Sequence, residues 1–135
     1  MRRTLSLVLT VLFVAVSGAS TGVAHAAVPR TGVRILAGGD CTPASTYCYK
    51  KAAKTIASGT KVVWKNLTGF PHTITRCNTA ACSGTSGGTG TDTGLGSPSV
   101  ASGGRYKFIF HGLGTYNYYC TFHGFGVMHG TITVT

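Results

Sequence analysis

Four side chains in this 135-residue sequence have the types and spacing to hold one metal ion. The stretch Tyr118-Tyr119-Cys120-Thr121-Phe122-His123-Gly124-Phe125-Gly126-Val127-Met128-His129-Gly130 offers a thiolate, an imidazole and a thioether within nine residues. Cys120 ends a strand-like run, and two residues suffice to turn the chain so that His123 faces the same point. Four more, two of them glycine, bring Met128 back at the start of the last strand. A second imidazole has to come from a distant strand, and His72 is the candidate because it alternates in phase with Ile74. Two imidazoles and a thiolate in a plane, with a weak axial thioether, suit a copper ion that cycles between Cu(I) and Cu(II). Sulfur favours Cu(I), imidazole serves both states, and a compromise geometry rearranges little when the electron moves. A structural zinc site would more often show four Cys or His ligands in paired spacing.

The remaining candidates fall away one by one. His129 alternates with Thr131 and Thr133 and is expected to point outward as a bystander. His111 sits beside Gly112 at a strand end with no partner at ligand spacing, and His25 lies in the leader described below. Five cysteines make an odd number. Cys41 with Cys48 and Cys77 with Cys82 are expected to form two local disulfides, because short loops close at small entropic cost. Cys120 is left over. Alone it could be a small buried apolar residue, and Met128 alone could be core. The shared spacing is what makes them a set.

The elements that must position this set read as strands. Alternation predicts strands over Lys61–Lys65, His72–Arg76, Arg105–Phe110, Gly114–Cys120 and Gly130–Val134, with less certain ones over Val33–Ala37 and Lys54–Ala57. Tyr106, Phe108 and Phe110 share one face, Tyr116, Tyr118 and Cys120 another, and Met128 falls in phase with Ile132 and Val134. Short strands between Gly-rich turns predict an all-β, antiparallel sandwich or barrel. The run Gly84–Thr91 has too little apolar content to pack and is expected, within about 83–102, to be a flexible surface loop. Gly84-Thr85-Ser86-Gly87-Gly88 superficially matches a serine-protease nucleophile loop, but a triad needs an orienting acid. Only Asp40 and Asp92 exist in the chain.

Met1-Arg2-Arg3, the apolar run Leu5–Val16 and Ala24-His25-Ala26 describe a secretory signal peptide over 1–26, leaving one domain over 27–135. A run of twelve residues is too short to span a bilayer, which takes about 20. The protein is expected to be exported, periplasmic or cell-surface associated, not transmembrane, and monomeric. Ten Lys and Arg follow position 26 against two acids. The excess favours anionic partners or an anionic cell surface. Nucleic acid is disfavoured, since the cations are scattered in sequence apart from Lys50, Lys51 and Lys54 and export removes that ligand. Asn66-Leu67-Thr68 is a glycosylation sequon that matters only in a eukaryotic secretor.

The ligand spacing resembles that of the cupredoxins, the type 1 blue-copper family, and is similar to its plastocyanin-like members over Gly59–Thr75 and Arg105–Thr135. The resemblance implies a Greek-key β-sandwich with copper held by His72, Cys120, His123 and Met128 at one end. It also implies redox partner proteins docking near His123, on an apolar patch of Gly124, Phe125, Val127, Phe70 and Pro71. The family's asparagine after the first histidine is Thr73 here, so the bond that braces the ligand loop must be remade or lost. Two acids cannot build the acidic surface of plant members, so a partner recognised by charge would itself be acidic. A one-electron carrier, not an enzyme, is the reading implied, with an extracytoplasmic copper carrier or buffer as the alternative. Such carriers tend to be Met- or His-rich, and this chain has two methionines. A multicopper enzyme would need His-x-His pairs, which the sequence lacks.

Overall fold

In a computed structural model, the described residues are 26–41 and 46–135. The expected leader therefore lies outside the description except for Ala26. Eight strands follow in order: β1 (Arg30–Ala37), β2 (Tyr47–Lys50), β3 (Ala53–Ile56), β4 (Thr60–Asn66), β5 (Thr75–Arg76), β6 (Arg105–Phe110), β7 (Gly114–Tyr119) and β8 (His129–Val134). They form two four-stranded sheets, ordered β2-β1-β4-β6 and β3-β8-β7-β5. The all-β sandwich expected from the sequence is the observed fold, and β2 is the strand that alternation had not revealed.

The expectation of purely antiparallel pairing is corrected: β1 runs parallel to β4, and β3 parallel to β8. The chain leaves the first sheet after β2, enters the second at β3 and returns at β4. Sequence neighbours therefore lie in different sheets, and period-two alternation reports which face is buried, not the direction of the strand alongside.

Alternation does build the core. In β4, Thr60, Val62, Trp64 and Asn66 are buried while Lys61, Val63 and Lys65 are half-buried. In β8, Gly130, Ile132 and Val134 are buried and continue the phase of Met128. Phe110 of β6 and Tyr116 of β7 pack edge to face at 4.9 Å between centroids, and Trp64 meets Tyr118 at 5.5 Å. These rings stitch the two sheets together beneath the metal-binding end, each contributing apolar burial plus a favourable edge contact.

The segment His72–Arg76 is a strand only at Thr75–Arg76; His72 forms an isolated bridge with Val100. That bridge changes the reading of the Gly-rich stretch. Leu95 and Val100 are buried in the core, so 83–102 is not one free loop. Nor does Gly84–Thr91 lie unpacked. Arg76 donates from Nε to Gly87 O at 3.1 Å, from Nη1 to Asp92 O at 2.7 Å, and from Nη2 to Gly88 O and Gly90 O at 3.2 and 2.6 Å. Its guanidinium also lies 5.0 Å over the Tyr116 ring. Gly90 presses so closely on that ring that a Cβ would overlap it. The stretch is a backbone strap, held by carbonyls that a count of apolar side chains does not register.

Both expected disulfides are present, Cys41–Cys48 and Cys77–Cys82, and Cys120 is free and buried.

Candidate metal centre

Cys120 follows β7, and the chain from Cys120 to Met128 folds into a compact loop. Cys120 O accepts from His123 N at 3.3 Å and from Gly124 N at 2.9 Å, and Gly124 O accepts from Met128 N at 3.1 Å. Gly124 carries a φ of +77°, which L side chains rarely adopt. The loop closes where Cys120 N donates to Met128 O at 3.0 Å. Two short turns and one closing bond thus return Met128, fully buried, beside Cys120. A small cluster of Cys77, Cys82, Tyr119 and Phe125 packs beneath the loop, so the second disulfide braces it from outside the centre.

His72 comes from the segment after β4. Its Nδ1 lies 3.8 Å from Cys120 Sγ, and His123 Nδ1 lies 3.3 Å from the same sulfur. The three ligand atoms all fall within 4.8 Å of one another. His72 is fully buried and His123 is partly exposed. Burial, with His123 nearby as a lesser cause, pushes the His72 imidazole down to about 4. Burial also lowers His123. Both rings are neutral at pH 7 and offer lone pairs, as ligation requires.

The other nitrogen of His72 is equally constrained. Nε2 lies 2.8 Å from Thr68 Oγ1, and Thr68 Oγ1 donates to Asn66 Oδ1 at 2.8 Å. Asn66 Nδ2 donates to Phe70 O and Val100 O at 2.7 and 2.9 Å. With the single hydroxyl proton shared between Asn66 Oδ1 and Phe70 O, at 2.8 and 3.0 Å, Thr68 accepts from His72 Nε2–H, which leaves Nδ1 as the free lone pair facing Cys120. The same bonds decide the sequon. Asn66 is fully buried with its amide engaged twice, so it is not a glycan acceptor in the folded protein.

Thr73 occupies the place where the family's asparagine was expected, and the bracing bond is remade. Thr73 Oγ1 accepts from Thr121 N at 2.9 Å, tying the His72 segment to the residue after Cys120. Thr73 N donates to Cys120 Sγ at 3.4 Å. Tyr49 adds a further tie by donating its hydroxyl to Thr73 O. A buried cysteine sulfur with an N–H donor, beside two imidazoles, matches copper's preference for soft sulfur and nitrogen.

Three groups near the centre escaped sequence reasoning: Thr68, Tyr49 and Tyr47. The ring of Tyr47 packs 4.4 Å from that of His123 and 4.9 Å from that of His72, with Phe70 at 5.8 Å. Tyr47 and Tyr49 alternate around Cys48 on the unforeseen strand β2, and that alternation with a disulfide anchor was the available signal. His111 and His129 lie exposed and outside the cluster, as expected. The apolar patch is only partly as expected. Phe70, Phe122 and Val127 are 60%, 57% and 46% exposed, whereas Phe125 packs on Tyr119 and the second disulfide and stacks on His129 at 4.6 Å.

Comparison with known proteins agrees with this geometry. The family described as copper-binding proteins of the plastocyanin/azurin type matches residues 41–135. Plastocyanin from Scenedesmus fuscus is 34% identical over 87 residues, covering 64% of this chain and 85% of that protein. Among solved structures, a purple cupredoxin from Nitrosopumilus maritimus superposes with a TM-score of 0.59 at 26% identity, over 77% of this chain and 98% of that one. Amicyanin, in a reduced single-substitution form, gives 0.55 at 25% identity over 83% and 88%. This chain belongs to the plastocyanin/azurin family of copper-binding proteins, and copper is the cofactor its buried sulfur and paired imidazoles suit.

Proposed function

We propose that the chain is an exported one-electron carrier in which His72, Cys120, His123 and Met128 hold one copper ion. On this reading residues 1–26 are removed and 27–135 form the carrier. The observation that carries it is the convergence of two imidazole nitrogens and one sulfur within 4.8 Å, with one imidazole buried and the other reaching the surface. Bound there, copper supplies a Cu(II)/Cu(I) couple.

The chain's own residues supply the rest. Thr68 and Asn66 fix the His72 tautomer, Thr73 N–H steadies the sulfur, and the loop closure at Cys120 and Met128 holds both backbones in place. Such bracing keeps the ligand positions constant between oxidation states, which is what fast transfer needs. Phe70, Phe122 and Val127 form an apolar rim at the His123 end where a redox partner would exclude water while docking. Transfer through the exposed edge of His123 then requires no substrate pocket, in keeping with a carrier and not an enzyme.

A visible spectrum with a redox titration tests the proposal. Copper-loaded protein should show an intense thiolate-to-copper band that reduction bleaches and reoxidation restores. Cys120→Ser should lose the band while keeping the fold, because both disulfides and the aromatic core remain. Copper bound without colour would overturn the carrier reading in favour of a copper carrier or buffer.

A further inference from the structure

The basic residues, scattered along the sequence, are gathered by the fold onto one surface. On the outward side of the β2-β1-β4-β6 sheet, Arg34, Lys65 and Arg105 are direct cross-strand partners, so three cations stand in a row on three adjacent strands. Lys50 extends the row on β2, opposite Arg34, and donates to Asp40 O at 3.1 Å. Four residues back along the strands, Arg30 and Lys61 are partners in a second row. Lys107, opposite Val63, lies between the rows. The residues alternating with these cations, among them Val33, Ile35, Val62 and Trp64, are buried, which fixes the cations on the outer face.

Neighbouring strands lie about 4.8 Å apart and four residues of strand span about 13 Å. Like charges directly opposite one another destabilise a sheet. The chain has two carboxylate side chains to offset them, and that of Asp92 is engaged by the amides of His111 and Gly112 at 2.8 and 2.9 Å. Asp40, beside Lys50, is then the one carboxylate side chain near seven cations, and the net positive field of the face costs stability.

We propose that this sheet face docks the protein onto an anionic lipid bilayer. The cations spread in two dimensions over a flat surface, which matches an array of headgroup charges. A single polyanion strand would be met by a groove with aromatic platforms, and a protein partner by an apolar core inside a polar rim. Here charge occupies the middle of the face. The face is a side of the sandwich, whereas His123 lies in the loop between β7 and β8 at one end. A protein lying on its charged side leaves that end free to meet a partner along the membrane plane. The proposal does not depend on the metal, so failure of one reading leaves the other standing.

The test is co-sedimentation of the exported protein with vesicles of equal phosphatidylglycerol and phosphatidylcholine, against pure phosphatidylcholine, at low salt and at 0.5 M NaCl. Binding should require phosphatidylglycerol and vanish at high salt, where screening shortens to a few Å. Each cation near such a surface is worth about a fivefold change in partition. Arg34→Gln with Lys65→Gln should therefore weaken binding about 25-fold, while raising the melting temperature by relieving repulsion. Lys51→Gln with Lys54→Gln changes net charge equally, in the turn after β2 and on β3 of the other sheet, and should weaken binding no more than about threefold. No binding to phosphatidylglycerol vesicles at low salt overturns the proposal, as does equal loss in the two double variants. Face-dependent binding to polyglutamate without binding to vesicles also overturns it, in favour of an acidic protein partner.

Discussion

Thr68 Oγ1 stands 2.8 Å from Nε2 of His72, the ring nitrogen that does not face Cys120. This contact makes a residue outside the ligand set responsible for the tautomer of a ligand. Thr68→Val keeps the shape but removes the acceptor, leaving His72 Nε2–H short of a partner while Asn66 Oδ1 keeps the amide of residue 68 at 2.9 Å. Loss of such an outer hydrogen bond costs about 10–100-fold in metal affinity. Copper affinity measured by chelator competition should fall by that factor in Thr68→Val and by less than about threefold in Thr68→Ser. Equal affinities would mean that packing alone orients His72.

The convergence of His72, Cys120 and His123 was legible because Cys120 and His123 share one short loop, with Met128 at its end, whose spacing is itself the geometry. His72 was legible through its phase with Ile74, both fully buried. Thr68 was not, because a hydroxyl four residues from a histidine gives no sign in sequence of which nitrogen it will meet. Strand faces were readable in β4, β6, β7 and β8, where alternation is regular. The parallel pairings were not, since they depend on where the chain crosses between sheets, and β2, four residues long, shows its alternation only in Tyr47 and Tyr49. The cationic face was hidden for the same reason: Arg34, Lys65 and Arg105 are far apart in sequence and become neighbours only through the register.

Arg76 gives a prediction about stability that leaves the centre intact. Its guanidinium serves four carbonyls of the Gly-rich strap and has no carboxylate among these partners. Arg76→Met preserves much of the stem's packing but removes every donor. Hydrogen bonds to a charged group contribute about 1.5–3 kcal/mol each and are not additive. A net loss of about 3 kcal/mol is expected, or roughly 15 °C in melting temperature for a domain of this size. Thermal unfolding checks it. A strap without structural consequence would show a shift of only a degree or two.

In the metal-free protein, stability should depend on pH through His72. Its imidazole sits at about 4 in the folded state, against an ordinary value near 6.5. Between those values the unfolded chain binds more protons, so stability falls as pH is lowered. The contribution is fully present above about pH 6.5 and lost by about pH 4, and its full size is about 3 kcal/mol. Urea midpoints measured from pH 8 to 4 should decline over that window. His72→Gln should flatten most of the decline, the remainder coming from His123, which burial also lowers.

Met128 completes the set only if its thioether reaches the metal, and the potential can decide this. Its backbone is held twice, by Met128 N to Gly124 O at 3.1 Å and by Cys120 N to Met128 O at 3.0 Å. A substitution there changes the donor without moving the loop. Met128→Gln offers an amide oxygen, which favours Cu(II) over the thioether and lowers the potential. A tenfold gain in preference for Cu(II) corresponds to about 59 mV for one electron, so a fall of at least that size is expected. Met128→Leu removes the donor altogether and should shift the potential upward while the blue band persists. Redox titration of the two variants against the parent gives shifts of opposite sign if Met128 is axial. Identical potentials would return Met128 to the core, where its complete burial would then be its whole role.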